Sequence, residues 1–359
     1  MSTKGIMRGI RISGLAAAVP DHLLHNEDFF DRWGEEYVRK VIDVTGINNR
    51  YAALPRQTAS DFAFEALNVL REKGVWAENN VDALIFVTQS PDYASPATAA
   101  VLHHRLGIHS ECLAYDVTLG CSGFVSGLFM AGGLLGQGFR RVLVCGGDCS
   151  TLHGDPNDAT TALLFGDGCF GVVVEAAENT LPWHYCFRTM GDGYRAIMTP
   201  AWLPFGRRRH LLTPETDCSV GNLQMAGMDV FTFTVSDVPA AIKEVLAEVP
   251  AESIDYLMLH QANLYIMKQV ARAVKFKMDK VPVSIGKFGN TSGATIPLGL
   301  CDLFGESAET AEKHLLLAGF GVGLSLGVMD VYLSPSVCEP VVRTRRYYDD
   351  ANDKEQYVE

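Results

Sequence analysis

Twice along this chain, short apolar runs of strand length alternate with longer runs of helical spacing, and that alternation narrows the fold more than any other feature. The first round opens with a strand over Gly9 to Ala16, closed by Pro20-Asp21. Thr58 to Lys73 then carries Phe62, Ala66, Leu67 and Leu70 at helical spacing. Ala83-Leu-Ile-Phe-Val-Thr88 reads as a buried strand, Thr98 to Leu106 as a helix, and Cys112 to Val117 and Arg141 to Gly146 as strands. Gly171-Val-Val-Val-Glu175 closes the round. The second round has a helix from about Asp229 to Val249, strand Tyr256 to Leu259, helix Leu264 to Phe276 and strand Val281 to Ile285. A helix from about Ala294 and strands His314 to Ala318 and Leu324 to Leu333 complete it. Such interleaving predicts α/β layers with a mainly parallel sheet. After Ser334 the chain turns polar and charged, apart from Pro340-Val-Val342 and Tyr347-Tyr348, and reads as a tail or surface arm.

Composition removes several functions. A chain of 359 residues suffices for one large domain or two fused halves. With 48% hydrophobic and 20% charged residues it is globular, and a net charge of −12 argues against nucleic-acid binding. Nine cysteines, without a C-x-x-C pair or a zinc-spaced Cys/His cluster, argue against a disulfide framework and a structural metal, and for reduced thiols in the cytoplasm. Lys4, Arg8 and Arg11 before Ile12 to Val19 imitate a signal peptide, but the apolar run is short and broken by Ser13 and Gly14. No uninterrupted apolar window reaches the roughly eighteen residues of a membrane span.

The chemistry concentrates at Gly120-Cys121-Ser122-Gly123, where a strand turns into an apolar helical pattern from about Phe124 to Leu135. A thiol at a helix N-terminus meets unpaired amides and the positive end of the dipole, which favour thiolate over thiol. The same amides can hold an oxyanion on an acyl group attached to the sulfur. The alternative is an ordinary buried small hydrophobe. His260-Gln261-Ala262-Asn263 follows a buried strand, at the carboxyl end where open α/β sheets bind ligands. A satisfied structural histidine is the plainer alternative. Gly289-Asn290-Thr291-Ser292-Gly293 suits a turn and helix cap as readily as a site. Gly319-Phe-Gly-Val-Gly323 leads into a strand with no Walker lysine, so it is a poor nucleotide loop.

Taken in order, Cys121, His260-Gln-Ala-Asn263, Gly289-Asn290-Thr-Ser292 and Gly319 to Gly323 resemble the β-ketoacyl-acyl carrier protein synthase III family. The resemblance runs from about Gly9 to Leu333 and includes Thr45-Gly46-Ile47, Asp155-Pro156-Asn157-Asp158 and Phe165-Gly166-Asp167-Gly168. It implies the α/β thiolase fold, two similar βαβαβαββ-type halves with stacked mixed sheets between helical layers, and a homodimer. On it, residues 1–178 hold Cys121, residues 179–333 hold His260 and Asn290, and residues 334–359 form a charged tail. Cys121 would take an acyl group from a carrier-protein or CoA thioester. Malonyl-acyl carrier protein would then lose CO2, and its enolate would attack the acyl carbon to give a β-ketoacyl thioester. His260 and Asn290 would hydrogen-bond the enolate oxygen, and the backbone N–H groups of Cys121 and Val322 would form an oxyanion hole. The resemblance implies no metal and no cofactor.

Departures from the family pattern bear on the substrate. Lys40 and Val44 stand where acetyl-CoA-primed members commonly carry Trp and Arg, and Ala159 and Tyr265 stand at two further positions where Arg is common. The usual CoA clamp is largely missing, so the expected donor is carrier-borne, or a CoA ester held differently. Ser95 occupies a position that reaches across the dimer in relatives, where a bulky Phe favours short primers. A roomier or more polar acyl pocket follows. Lys268, Arg272 and Lys275 at helical spacing offer a dock for an acidic carrier protein, or only a solvated face, and Arg207-Arg208-Arg209 is a second basic cluster. Two other functions stay open. One is an acyltransferase passing the Cys121 acyl group to a hydroxyl or amine, the other a non-catalytic partner subunit.

Overall fold

The structure, a computed structural model, describes residues 3–155, 157–199 and 222–358. Strands β1 (Thr3–Met7) and β2 (Ile10–Pro20) are followed by helices α1 (Glu35–Thr45) and α2 (Ala59–Glu72). Then come β3 (Ala83–Val87), α3 (Thr98–Arg105), β4 (Leu113–Val117), α4 (Gly123–Leu135), β5 (Arg141–Asp148) and β6 (Gly168–Ala176). The second round contains β7 (Trp183–Thr189), α5 (Gly227–Leu246), β8 (Tyr256–Leu259), α6 (Leu264–Ala273), α7 (Thr295–Phe304), β9 (Lys313–Gly321) and β10 (Ser325–Leu333). A short β11 (Val342–Thr344) lies near the carboxyl end.

The two large sheets among the described residues are ordered β11-β2-β6-β5-β3-β4 and β1-β7-β10-β9-β8. Both are mixed: three of the five pairings in the first sheet are parallel, but only one of the four in the second, so the mainly parallel pattern expected from the alternation holds for the first sheet alone. β3 runs parallel to β4 and β5, and β8 runs parallel to β9, but β5/β6, β2/β6, β9/β10 and β7/β10 are antiparallel. The physical reason is plain at β9 and β10, because a link of three residues cannot cross over to a parallel neighbour.

α2 covers the outer face of the first sheet and α5, backed by α6, the outer face of the second. α4 and α7 lie between the sheets. α4 is apolar all round because both of its sides are covered. Its Phe124, Val125 and Leu128 share one core with Val144 and Phe170 of the first sheet and Leu317 and Met329 of the second.

The chain ends cross between the halves. β1 pairs with β7 in the second sheet, while β11 pairs parallel with β2 in the first. The segment after Ser334 therefore does not trail as a tail. Beyond β11 a hairpin of Arg346–Asp349 and Lys354–Tyr357 folds over α2. Arg105, with no side-chain exposure, lies 3.1 Å from Asp61 and 2.8 Å from Glu355 of that hairpin. Its charges have internal partners, which composition does not disclose.

The strand expected over Val281 to Ile285 is absent; the chain runs extended into a short helix, Ile285–Phe288. Pro282 has no N–H to give a ladder, and Val283 is exposed. Gln261 takes the neighbouring backbone groups, donating to the Pro282 carbonyl (3.2 Å) and accepting from the Ser284 N–H (3.1 Å).

Candidate active site

The carboxyl ends of β3, β4 and β5 from the first sheet, and of β8 and β9 from the second, open on one cavity of about 600 Å³. Gln89, Cys121 and Asp148 line it from the first half, His260, Asn290 and Val322 from the second. The three side chains picked from the sequence, more than a hundred residues apart at the extremes, thus share one chamber.

Cys121 is buried at the turn into α4. The surrounding backbone approaches so closely that side chains are excluded. A Cβ on Gly321 would lie 2.9 Å from the Cys121 sulfur, and one on Gly120 would lie 2.2 Å from Gln89 Oε1. The glycine-rich run before β10 therefore brings its backbone against the thiol. Burial pushes the Cys121 thiol up to about 12, and the Asp148 charge adds to that effect. The Ser292 hydroxyl, 3.9 Å from the sulfur, and the N–H groups of Cys121 and Val322 pull the other way without prevailing. The thiolate expected from a helix N-terminus is thus not the resting state. Desolvation outweighs the helix-end amides, and the free protein carries a thiol.

His260 is 2% exposed, with its ring edge-on to Phe320 at a centroid distance of 5.4 Å. Burial lowers its pKa to about 3, so it is neutral at physiological pH. Its Nδ1 lies 2.7 Å from the Thr295 hydroxyl, leaving Nε2 for the cavity. The backbone of Asn290 is held between Leu164 and Gly166: its N–H donates to the Leu164 carbonyl, and its own carbonyl accepts from Gly166. Its side-chain oxygen accepts from the Ser292 N–H at 3.0 Å, which leaves the carboxamide N–H groups as the free donors. One neutral imidazole and one amide donor beside a thiol suit stabilisation of a negative oxygen, not proton transfer by an imidazolium.

Val44 and Tyr265 line the cavity, and Tyr265 stacks on Phe231 at 6.0 Å, so aromatic and aliphatic groups occupy these two positions. Lys40 and Ala159 are not among the lining residues. Ser95 is exposed on a loop outside the cavity of its own chain. Lys268 and Arg272 are exposed on α6, but Lys275 lies past the helix end with a φ of 62° and leaves the helical stripe. Arg207, Arg208 and Arg209 lie outside the described residues. Gln89, Ser150, His153 and Thr295 went unread in the sequence. The one available signal was the place of Gln89, directly after a strand read as ending at Thr88.

Paired mixed sheets enclosing helices, with a cysteine starting the central one, define a thiolase-fold acyltransferase. Residues 115–191 match the family described as 3-oxoacyl-(acyl-carrier-protein (ACP)) synthase III, and residues 246–332 match its C-terminal part. The chain is 33% identical to the β-ketoacyl-(acyl-carrier-protein) synthase III of Streptococcus suis over 326 residues, 89% of this chain and 97% of that one. It is similar to the crystal structure of a 3-oxoacyl-(acyl-carrier protein) synthase from Burkholderia xenovorans, with a TM-score of 0.89, 32% identity and coverage of 96% and 99%. It is also similar to the priming β-ketosynthase of a polyketide biosynthetic pathway, with a TM-score of 0.79, 26% identity and coverage of 92% and 98%. The chain belongs to the β-ketoacyl-acyl carrier protein synthase III family and is a condensing enzyme.

Proposed function

We propose that Cys121 carries the acyl group and that His260 and Asn290 stabilise the enolate that attacks it. The observation supporting this most directly is that the three line one cavity while the amides of Cys121 and Val322 both face the sulfur. In the first step the acyl carbon exchanges its bond to the donor sulfur for a bond to Cys121 Sγ, and the Cys121 proton leaves with the departing thiol. The oxyanion formed on the way accepts from the two amides. In the second step the C–C bond to the malonyl carboxyl breaks and CO2 departs. The electron pair becomes an enolate whose oxygen accepts from His260 and Asn290. A new C–C bond to the acyl carbon then releases Cys121, which is reprotonated from solvent.

The partners follow from this reading: an acyl thioester, on a carrier protein or CoA, and malonyl-acyl carrier protein. Lys268 and Arg272 are the proposed dock for the acidic carrier, with Lys275 beside them. The assembly is a homodimer. β4 supports it as an edge strand with its first residue, Leu113, exposed. The Ser95 loop lies beside that edge, because Asp116 of β4 accepts from the N–H groups of Thr98 (2.6 Å) and Ala99 (2.7 Å). Ser95 would there reach the partner's acyl pocket. Eight cysteines among the described residues are free thiols, in keeping with a cytoplasmic location, and no described helix is long and apolar enough to cross a membrane.

The test is intact-mass analysis after incubation with a panel of acyl thioesters, followed by malonyl-acyl carrier protein. One acyl adduct, absent from Cys121→Ala, and CO2 release on deacylation are expected. Deacylation by a hydroxyl or amine acceptor without CO2 would instead indicate simple acyl transfer. No adduct from any donor would remove the acyl-carrier role.

A further inference from the structure

We propose that the acyl group accepted here carries a neutral hydrogen-bonding substituent, a hydroxyl or an oxo group, within a few carbons of its thioester carbonyl. This rests on the reading that Cys121 carries the acyl group. A plain alkanoyl chain asks only for an apolar wall, and part of the cavity supplies one through Val230, Phe231, Ile266 and Phe320. The wall from the first sheet has a different character. Gln89, Thr118 and Ser150 all line it, and among the described residues their side-chain polar groups make no hydrogen bond.

Gln89 is placed to act near the reacting carbon. Its Oε1 lies 2.2 Å, and the Ser292 hydroxyl 3.1 Å, from the point a Cβ on Gly120 would occupy. Gly120 immediately precedes Cys121, and Ser292 Oγ is 3.9 Å from the sulfur. The carboxamide therefore stands beside the start of any chain attached there. The space it uses exists because residue 120 has no side chain.

The charge lining the cavity selects a neutral substituent. Asp148 also lines it, and its Oδ1 is fixed by the Thr88 hydroxyl (2.9 Å), the Gln89 N–H (2.7 Å) and the Ser90 hydroxyl (3.1 Å). No Lys or Arg among the described residues lines the cavity to offset that carboxylate, so a carboxylate that stays on the acyl group, unlike the malonyl carboxyl that departs as CO2, is disfavoured there. An alkyl chain pressed against Gln89 would strip its carboxamide of water and return no partner, which slows acylation by on the order of ten- to a hundredfold.

The experiment compares N-acetylcysteamine thioesters of equal chain length, alkanoyl, 3-hydroxyacyl, 3-oxoacyl and ω-carboxyacyl, by the rate at which each acylates the intact protein. These small donors need no carrier dock. Acylation at least tenfold faster by the hydroxy or oxo donor is expected, and Gln89→Leu should lower that ratio toward unity by raising the alkanoyl rate and lowering the hydroxyacyl and oxoacyl rates. Equal rates for alkanoyl and hydroxyacyl donors, or a preference for the anionic donor, would overturn the proposal and leave the acyl-carrying role of Cys121 standing. No adduct from any donor would overturn both. The wild-type comparison decides the matter even where Gln89→Leu fails to fold.

Discussion

His260 Nδ1 lies 2.7 Å from the Thr295 hydroxyl, and the same hydroxyl lies 3.1 Å from the Ser292 carbonyl. A hydroxyl has one hydrogen, so it serves one of these neighbours as donor at a time. Given to Nδ1, that hydrogen leaves the proton of the neutral imidazole on Nε2, facing the cavity as a donor. Given to Ser292, it makes Nδ1 the protonated nitrogen and leaves Nε2 bare. On the roles proposed above, Thr295 would be a positioning residue: the Nε2–H tautomer needs its hydroxyl to donate to Nδ1 rather than to the Ser292 carbonyl.

Thr295→Val should slow malonyl decarboxylation by roughly ten- to a hundredfold, less than the roughly hundred- to thousandfold cost of removing an oxyanion donor outright. Acylation of Cys121 should change little, and Thr295→Ser should restore most of the rate. Separate single-turnover measurements of the two steps check this. Equal losses in both steps, unrepaired by Ser, would point to general damage instead.

The buried imidazole also makes stability depend on pH. Burial lowers the His260 pKa from 6.5 to about 3, so between those values the unfolded chain binds a proton that the folded protein refuses. The stabilising difference is complete above about 6.5 and drains as pH falls toward 3. By pH 4.5 the loss amounts to about 2–3 kcal/mol. Denaturant melts at pH 7 and pH 4.5 should show a smaller acid loss for His260→Asn than for the wild type. The same loss in both proteins would mean that His260 is not a buried neutral group.

Cys121 should behave as an unactivated thiol until substrate arrives. With burial holding its pKa near 12, its thiolate fraction rises about tenfold per pH unit through pH 8 to 10. Alkylation of Cys121 by iodoacetamide should climb across that range, where an ordinary exposed cysteine levels off above about pH 9. Rates read by peptide mass at half-unit intervals check this, and a plateau near pH 8 would show that the helix-end amides prevail after all.

Charge reversal at Lys268 and Arg272 tests the carrier dock. Both side chains are exposed on α6, whose residues Ile266, Met267 and Val270 face the core, so reversal should spare the fold. The double Glu variant should raise KM for malonyl-acyl carrier protein severalfold, more at low salt, and leave a malonyl N-acetylcysteamine thioester unaffected. An unchanged KM for the carrier would make the patch a solvated face.

Much of this architecture was legible because hydrophobic periodicity is local. Strand Tyr256 to Leu259 agrees residue for residue, and α2 and α4 fall within a residue or two of the expected spans. Val281 to Ile285 misled because an apolar run resembles a strand even with a proline in it, while the hydrogen-bond partner that decides the matter, Gln261, is 21 residues from Pro282 and 23 from Ser284. The charges after Ser334 misled in the same manner. Glu355 is surface-like in sequence, yet its partner is the fully buried Arg105.

What the sequence determined by itself was the order of the elements and the strand ends at which Cys121 and His260 stand, since both follow from neighbours within a turn or two. Only the tertiary structure decided their chemical state. Neutral His260, protonated Cys121 and the unengaged carboxamide of Gln89 depend on burial and on groups brought together from opposite halves of the chain. Desolvation acts through space, and no local pattern carries it.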